Sequence, residues 1–339
     1  MVTISDVATR AGVGAGTVSR VLNGSPKVSP GTRTRVLEAM AALDYRPNPL
    51  AQRLSRGRCQ TLGVVVPFFT HASAVERLRG VVSALDGSRY DLVLFNVEAP
   101  VHREEHFASI TKGGRADGIL VLSLQPPAGD LARLVDARMP IVLVDVHGDD
   151  VPSVLTDDVE GGRLATEHLL GLGHRRIAFI GEDPANDLGF SATAKRERAY
   201  RACMAAAGLD ADPALVAYCP HDKDLAQQLA AGLLAGPDRP TAVFASSDVQ
   251  ALGVLAAARA AGLRVPADLS IVGYDDIEVA AYAGLTTVRQ PLFETGRLGT
   301  SLLLEALEQG DEVVEAVDHV LPVELVVRTS AARAPEVVA

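Results

Sequence analysis

Over the first 45 positions, apolar residues recur at helical spacing. Ile4, Val7, Ala8 and Ala11 share one face, Val18, Val21 and Leu22 form a second stripe, and Val36, Leu37, Met40 and Leu43 a third. Local signals divide these stripes into three short helices. Thr3 with Asp6 is a capping-box-like start and Gly12 breaks the first helix, while a second begins near Ala15 or Gly16. Ser29 as N-cap and Pro30 at the first helical position open the third. The first two make a helix-turn-helix, and the third closes a small core on them.

From about residue 60 the pattern becomes short Val/Ile/Leu-rich runs alternating with amphipathic stretches. Strands are expected at Leu62 to Val66, Leu92 to Phe95, Gly118 to Leu122, Ile141 to Val144, Ile177 to Ile180, Ala242 to Ala245 and Ser270 to Val272. Helices fall between them, for example Glu160 to Leu172, Lys195 to Ala207 and Val249 to Ala261. Repeated strand-helix units with strands this apolar mean parallel sheets covered on both faces. About 280 residues of the pattern suggest two doubly wound α/β lobes behind a small all-α head. The expected divisions are a head at 1–46, a connector at 47–58 and a core at 59–339.

The connector PNPLAQRLSR is unusual because Asn48 and Pro49 are a helix start. Its helix would be barely two turns long and would need a partner to form. Leu54 has two readings: an apolar wedge entering the minor groove between base pairs, or a plain packing residue of the linker.

Charge divides the chain at the same place. Residues 1–58 hold nine basic and three acidic residues, a net +6, which leaves −16 for the rest of a chain whose total is −10. A basic head on an acidic body is the footprint expected when only the head meets phosphate. With the second helix in the major groove, Ala15, Gly16, Thr17, Ser19, Arg20 and Asn23 face bases and phosphates, and Thr3 opens the first helix beside them. Arg20 can fork onto a guanine or clamp a phosphate; we assign it to base reading. Gly12, Gly14 and Gly16 alternate as in a phosphate loop, but no hydrophobic strand precedes them.

Ligands of open parallel sheets sit beyond the carboxyl ends of the strands. Reading those ends gives Phe68, Phe69 and Thr70, then Asp145, then Ser246, Ser247 and Asp248, then Tyr274, Asp275 and Asp276. Carboxylates and hydroxyls beside aromatic faces suit a polyhydroxylated ligand or a nucleobase. The structural alternative for each aspartate is a helix N-cap. Enzyme chemistry finds no support: there is no GxSxG, GxxxxGK[ST] or HExxH, and the eight histidines are scattered, with His174 read as a turn residue. The adjacent pairs Asp149-Asp150, Asp157-Asp158 and Asp275-Asp276 tend to point apart. Three cysteines without paired spacing argue against a disulfide framework or zinc site, and neither a metal nor a cofactor is expected. MVTISDVATR carries no signal-peptide pattern and no apolar run approaches a membrane span, so a cytoplasmic protein with no membrane partner is expected.

TISDVATRAGV, TVSRVLNGSPKVSPGTRTRV and LDYRPNPLAQRLSRG resemble the head and hinge of LacI/GalR regulators. GLGHRRIAFIG, FASSDVQALGVL, VPADLSIVGYDD and LTTVRQP resemble that family's core, which has the type I periplasmic-binding-protein fold. The resemblance implies an amino-terminal lobe of about 60–157 and 290–318 and a carboxy-terminal lobe of about 158–289 and 319–330. It implies that Ala15, Gly16 and Arg20 read operator bases, that Asn48, Ala51 and Leu54 belong to the DNA-binding hinge, and that Leu54 inserts into the minor groove. Arg196 in RERAYRA is similar to the family's ligand-clamping arginine, although Ala199 replaces the glycine usual there. Asp275 is similar to its ligand-binding aspartate, and Ser247 stands where many sugar-responsive members carry asparagine. Phe68 or Phe69 supplies a stacking wall.

A head this small cannot select one site alone, so a homodimer on an inverted repeat is expected, with helix Val75 to Leu85 as a candidate interface. By the resemblance the protein is a repressor whose effector is a sugar acting as inducer. The alternatives are a nucleobase or nucleoside acting as co-repressor, and a solute-binding protein without specific DNA reading. The tail RTSAARAPEVVA shows no heptad pattern for a tetramer.

Overall fold

A computed structural model describes residues 2–46, 59–310 and 315–335. The chain divides into two compact units at residues 60 and 61.

The first unit holds α1 (Ile4–Ala11), α2 (Ala15–Leu22) and α3 (Pro30–Ala42). The capping box at Thr3 and Asp6 is formed in both directions, and Ser29 accepts from the Thr32 amide. Gly12 ends α1 with φ of +65°, a left-handed conformation that costs a glycine little and makes the tight turn into α2. Val7, Ala8, Ala11, Val18, Val21, Val36 and Ala39 form the core. One expectation fails here: Leu37 is 51% exposed, and Ala39 takes the buried place. The helix points Val36, Ala39 and Met40 at the other two, and Leu37 falls about 100° away from Val36. Arg33 crosses under the end of α2, donating to the Ser25 carbonyl at 2.8 Å, which fixes the loop after that helix.

The second unit carries two six-stranded sheets. One contains β1 (Thr61–Pro67), β2 (Asp91–Val97), β3 (Gly118–Leu122), β4 (Ile141–Val144), β5 (Ser153–Thr156) and β11 (Asp318–Leu321), in the order β11-β5-β4-β3-β1-β2 and wholly parallel. The other contains β6 (Ile177–Gly181), β7 (Val216–Tyr218), β8 (Ala242–Ala245), β9 (Ser270–Asp275), β10 (Thr286–Arg289) and β12 (Glu324–Val326), in the order β12-β10-β9-β8-β6-β7. Only β12 runs antiparallel, against β10. All seven expected strands are present. The five short ones at 153–156, 216–218, 286–289, 318–321 and 324–326 escape the pattern because they span three or four residues, and those at 216–218, 318–321 and 324–326 are only partly buried.

Alternate residues of each strand feed opposite faces. In β3, Ile119 and Val121 join Phe95, Phe107 and Leu143, while Leu120 and Leu122 join Val64, Val142 and Leu303. The helix α4 (Ala72–Leu85) packs on α12 (Leu292–Gln309) with the backbones nearly touching. A Cβ on Gly80 would overlap the Phe293 carbonyl oxygen, and one on Gly296 the Arg77 carbonyl oxygen. Such an approach admits only glycine. The chain passes between the lobes three times, after β5, after β10 and between β11 and β12, so α12 belongs to the amino-terminal lobe although it follows a strand of the other.

Candidate functional site

Beyond the carboxyl ends of the strands, between the two sheets, lies a cavity of about 300 Å³. The connections that follow β1, β3, β4, β6, β7, β8 and β9 all contribute to it, as the topology of open parallel sheets requires. Four of its residues hold positive φ without being glycine: Phe68 (+43°), Ser123 (+52°), Asp145 (+63°) and Asp275 (+116°). Left-handed backbone is costly for such residues and gathers where function needs a side chain aimed.

Two arginines lie in the wall. Arg77, on α4, pairs with Asp145, whose other contact is the Ser123 hydroxyl at 2.7 Å. Arg196 lies on α8 (Ala192–Ala206). It meets Asp158 at 2.8 Å, donates to the Ser246 carbonyl at 2.6 Å and lies 3.6 Å above the Tyr274 ring. Burial disfavours the Arg196 charge, but Asp158, Tyr274 and Asp275 outweigh it and hold the proton more tightly than usual. Gln290 links the two groups, accepting from Thr156 and donating to Asp275.

Asp275 is 3% exposed and its carboxyl is pushed up to about 6, because burial outweighs the pull of Arg196 and Arg77. Among the described residues its Oδ2 has no hydrogen-bond partner, and neither has Asp145 Oδ1. Buried acceptors left unsatisfied are costly, so both are poised to take donors from a ligand. Burial likewise raises Glu182, which follows β6. The aromatic side of the cavity is a stack: Phe68 and His71 lie 4.9 Å apart at 10°, and His71 and His221 5.5 Å apart at 19°, the last pair joining the two lobes. Burial, the neighbouring His71 and Arg196 hold His221 neutral, with its pKa down to about 3. Phe190 adds an edge from the loop after β6.

Of the residues expected at this site, Phe68, Asp145, Arg196, Ser246 and Asp275 line the cavity. Phe69, Thr70, Ser247 and Asp248 do not. Phe69 and Thr70 turn outward, and the Phe69 amide donates to Asn96. Ser247 is spent as the N-cap of α10 (Asp248–Ala260), accepting from the Gln250 amide. Asp248 is neither ligand-facing nor the cap. It is buried one residue further on, accepting from the Ile277 amide at 2.9 Å and the Thr287 hydroxyl at 2.6 Å, and so ties the turn after β9 and strand β10 to α10. Tyr274 lies beneath Arg196, and Asp276 pairs with Arg328 and Arg289.

His71, Arg77, Ser123, Thr156, Asp158, Glu182, His221 and Gln290 were not foreseen. The strand-end rule already pointed to Ser123 and Glu182, which directly follow β3 and β6. Arg77 was legible too, as a charge on the buried stripe Ala74, Gly80 and Val81 of α4. Among the described residues no cluster of histidine, cysteine, aspartate or glutamate could hold a metal ion, and no helix is long and apolar enough to cross a membrane.

On the head, Ala15, Gly16, Arg20 and Asn23 are exposed along α2, with Thr17 and Ser19 half-buried beside them. The Thr3 side chain is engaged with Asp6. Asn48, Ala51 and Leu54 lie outside the described residues.

The chain matches two family descriptions, bacterial regulatory proteins of the lacI family over residues 3–48 and a periplasmic binding protein-like domain over residues 166–331. It is 37% identical over 339 residues to the HTH-type transcriptional regulator CelR of Thermobifida fusca, covering 97% of this chain and 98% of that one. It is 32% identical over 315 residues to catabolite control protein A of Priestia megaterium, covering 91% and 93%. Among solved structures, a CelR-cellobiose complex superposes with a TM-score of 0.70 at 36% identity, over 97% of this chain and all of the other. A lac repressor dimer bound to operator and the anti-inducer ONPF superposes with a TM-score of 0.80 at 28% identity, over 98% and 99%. With relatives of this identity along nearly its whole length, the chain belongs to the lacI family of bacterial regulatory proteins and is a DNA-binding transcriptional regulator with an effector-binding domain.

Proposed function

We propose that the protein is a repressor that binds an inverted-repeat operator as a homodimer and changes its grip when a sugar enters the cavity between the lobes. The observation that carries the ligand reading is the presence of buried, unpartnered carboxylate oxygens on Asp145 and Asp275 in the same cavity wall as Phe68. Hydroxyl groups of a sugar supply the missing donors, and its C–H face packs on the ring. Phe68, Asp145, Arg196 and Asp275 are the contacts we assign; the sugar named in the CelR complex supports the ligand class.

On the head we assign base and phosphate contacts to Thr3, Ala15, Gly16, Thr17, Ser19, Arg20 and Asn23, with Arg20 the main base reader because Ala15 and Gly16 offer little or no side chain. Asn48, Ala51 and Leu54 complete the assignment from the sequence. For the dimer, an exposed apolar band crosses both lobes: Val75 and Val82 on α4, Phe293 on α12, and Val279 and Tyr282 on α11 (Glu278–Tyr282), with Tyr282 83% exposed. A second copy is the partner we assign to it, supported by the dimer named for the lac repressor.

A second reading, a nucleobase effector, is favoured by the near-parallel, stacked rings of Phe68, His71 and His221, a stack that a planar ligand can extend. The test of the function is selection of bound sequences from genomic DNA by the purified protein. An inverted repeat with a deformable central step supports the proposal, and its neighbouring genes point to the ligand. Weak, salt-sensitive and unselective binding refutes it.

A further inference from the structure

The charges lining the cavity are strongly unequal. Its wall holds five carboxylates, Asp145, Asp158, Glu182, Asp222 and Asp275, against two guanidinium groups, Arg77 and Arg196. Both arginines are already matched. Arg77 pairs with Asp145, and Arg196 with Asp158, which also has Lys195 3.8 Å away on its outer side. Asp222 caps α9 (Lys223–Leu234) through the Asp224 and Leu225 amides. Among the described residues Glu182 and Asp275 form no ion pair at contact distance, and Asp275 Oδ2 and Asp145 Oδ1 have no hydrogen-bond partner.

An anionic group entering here would lose its hydration, find each cation already neutralised and face two carboxylates at close range. In a partly buried site such repulsion is weakly screened. A hydroxyl meets the opposite situation, since it donates to the waiting oxygens and accepts from the remaining arginine N–H groups. Each arginine of the wall is thus paired with a carboxylate and is not free to clamp an anion.

Resting on the reading of this cavity as the effector site, we propose that it selects by charge. It takes an uncharged, hydroxyl-rich ligand and excludes phosphorylated and carboxylated derivatives, with Glu182 as the specificity-determining residue. Glu182 is the natural candidate because it directly follows β6, lies half-buried in the wall and is engaged by no arginine or lysine among the described residues.

The test uses the full-length protein at pH 8 and follows thermal stabilisation and calorimetric binding with matched compounds. Each set comprises a mono- or disaccharide, its phosphate, its uronate and its amino derivative; nucleosides and their monophosphates form a parallel set. Every stabilising compound is expected to be neutral or amino-bearing, with the phosphate and uronate of any binder at least tenfold weaker. In Glu182→Gln the gap between the neutral parent and its phosphate or uronate narrows to threefold or less. A phosphate or uronate that binds as tightly as its parent overturns the proposal, as does a gap that Glu182→Gln leaves intact. If a sugar phosphate binds best, the sugar reading survives and the charge rule falls. If neutral nucleosides bind and sugars do not, the charge rule stands and the sugar reading falls.

Discussion

The Gln290 side-chain amide donates to the Asp275 carboxylate at 2.6 Å, and its carbonyl oxygen accepts from Thr156 at 3.2 Å and Arg77 at 3.5 Å. Gln290 sits where the chain returns from β10 to α12, so one uncharged side chain joins an acceptor of the carboxy-terminal lobe to donors of the amino-terminal lobe. Replacing it by alanine leaves those buried groups without their partner, at about 1–3 kcal/mol for an unsatisfied group. Gln290→Ala is expected to lower unfolding free energy in urea by that amount; an unchanged midpoint refutes the linking role.

Gly296 and Gly80 make the closest approach between α12 and α4. Gly296→Ala has to push two backbones apart, and overpacking of this kind costs about 1–3 kcal/mol or more. Gly232 on α9 has open space around it, and there the same change is expected to stabilise by about 0.5–1 kcal/mol through lower unfolded-state entropy. Thermal melts of the two variants should move in opposite directions. A common direction removes the packing argument.

Asp248 is placed as a brace, and its two acceptor contacts predict a structural phenotype. Asp248→Ala strands the Ile277 amide and the Thr287 hydroxyl in the core and is expected to cost about 2–4 kcal/mol by chemical denaturation. Asp275→Asn preserves the shape of the cavity and is expected to abolish the ligand response while operator binding persists. Equal loss of fold stability in both variants would contradict this division.

His221 sets a pH dependence. Its folded pKa of about 3 lies below the unfolded value near 6.5, so folding requires the neutral ring. The penalty is absent above pH 6.5 and grows as pH falls below it, down to about pH 3. Asp275, raised to about 6, works in the opposite sense, since its protonated form is favoured by folding between pH 6 and 3.8. Comparing the wild type with His221→Phe isolates the histidine. From pH 7.5 to 5.5 the wild type is expected to lose about 1 kcal/mol more than the variant, the lower end of the range because the ring is partly open to solvent. Parallel pH profiles would show that His221 titrates normally.

Thr3 and Arg20 separate stability from recognition in the head. Thr3→Ala removes the N-cap of α1 and is expected to cost about 0.5–2 kcal/mol of head stability with base preference unchanged. Arg20→Ala leaves the core intact and is expected to cost about 1–3 kcal/mol of discrimination at one base pair, read by competition against mutated operators. Uniform weakening across all sequences would reassign Arg20 to phosphate.

Much of this architecture was legible because local chemistry dictates it. Capping at Thr3 and Ser29, the break at Gly12 and the runs at 62–66, 118–122 and 141–144 depend on neighbours a few residues away, and all of them appear in the structure. The strand-end rule also located part of the cavity, since Phe68, Asp145, Ser246 and Asp275 line it while Phe69, Thr70, Ser247 and Asp248 turn elsewhere, and Arg196 came from the family resemblance alone. That division follows from backbone direction at the turn. Successive side chains diverge, and left-handed φ at Phe68, Asp145 and Asp275 aims those three inward. Leu37 shows the same limit in a helix, where a stripe one position out of phase reads as plausibly as the buried one.

What composition, periodicity and capping settled, then, is the identity and order of the elements, because each such preference is decided within one or two turns of chain. Which atoms meet across 150 or more residues of chain was a matter of folding: Arg77 beside Gln290, His71 against His221, Gly80 on α12. Those contacts arise where separate segments bury their surfaces together, and the unpartnered oxygens of Asp145 and Asp275 acquire meaning only once the surrounding wall has closed around them.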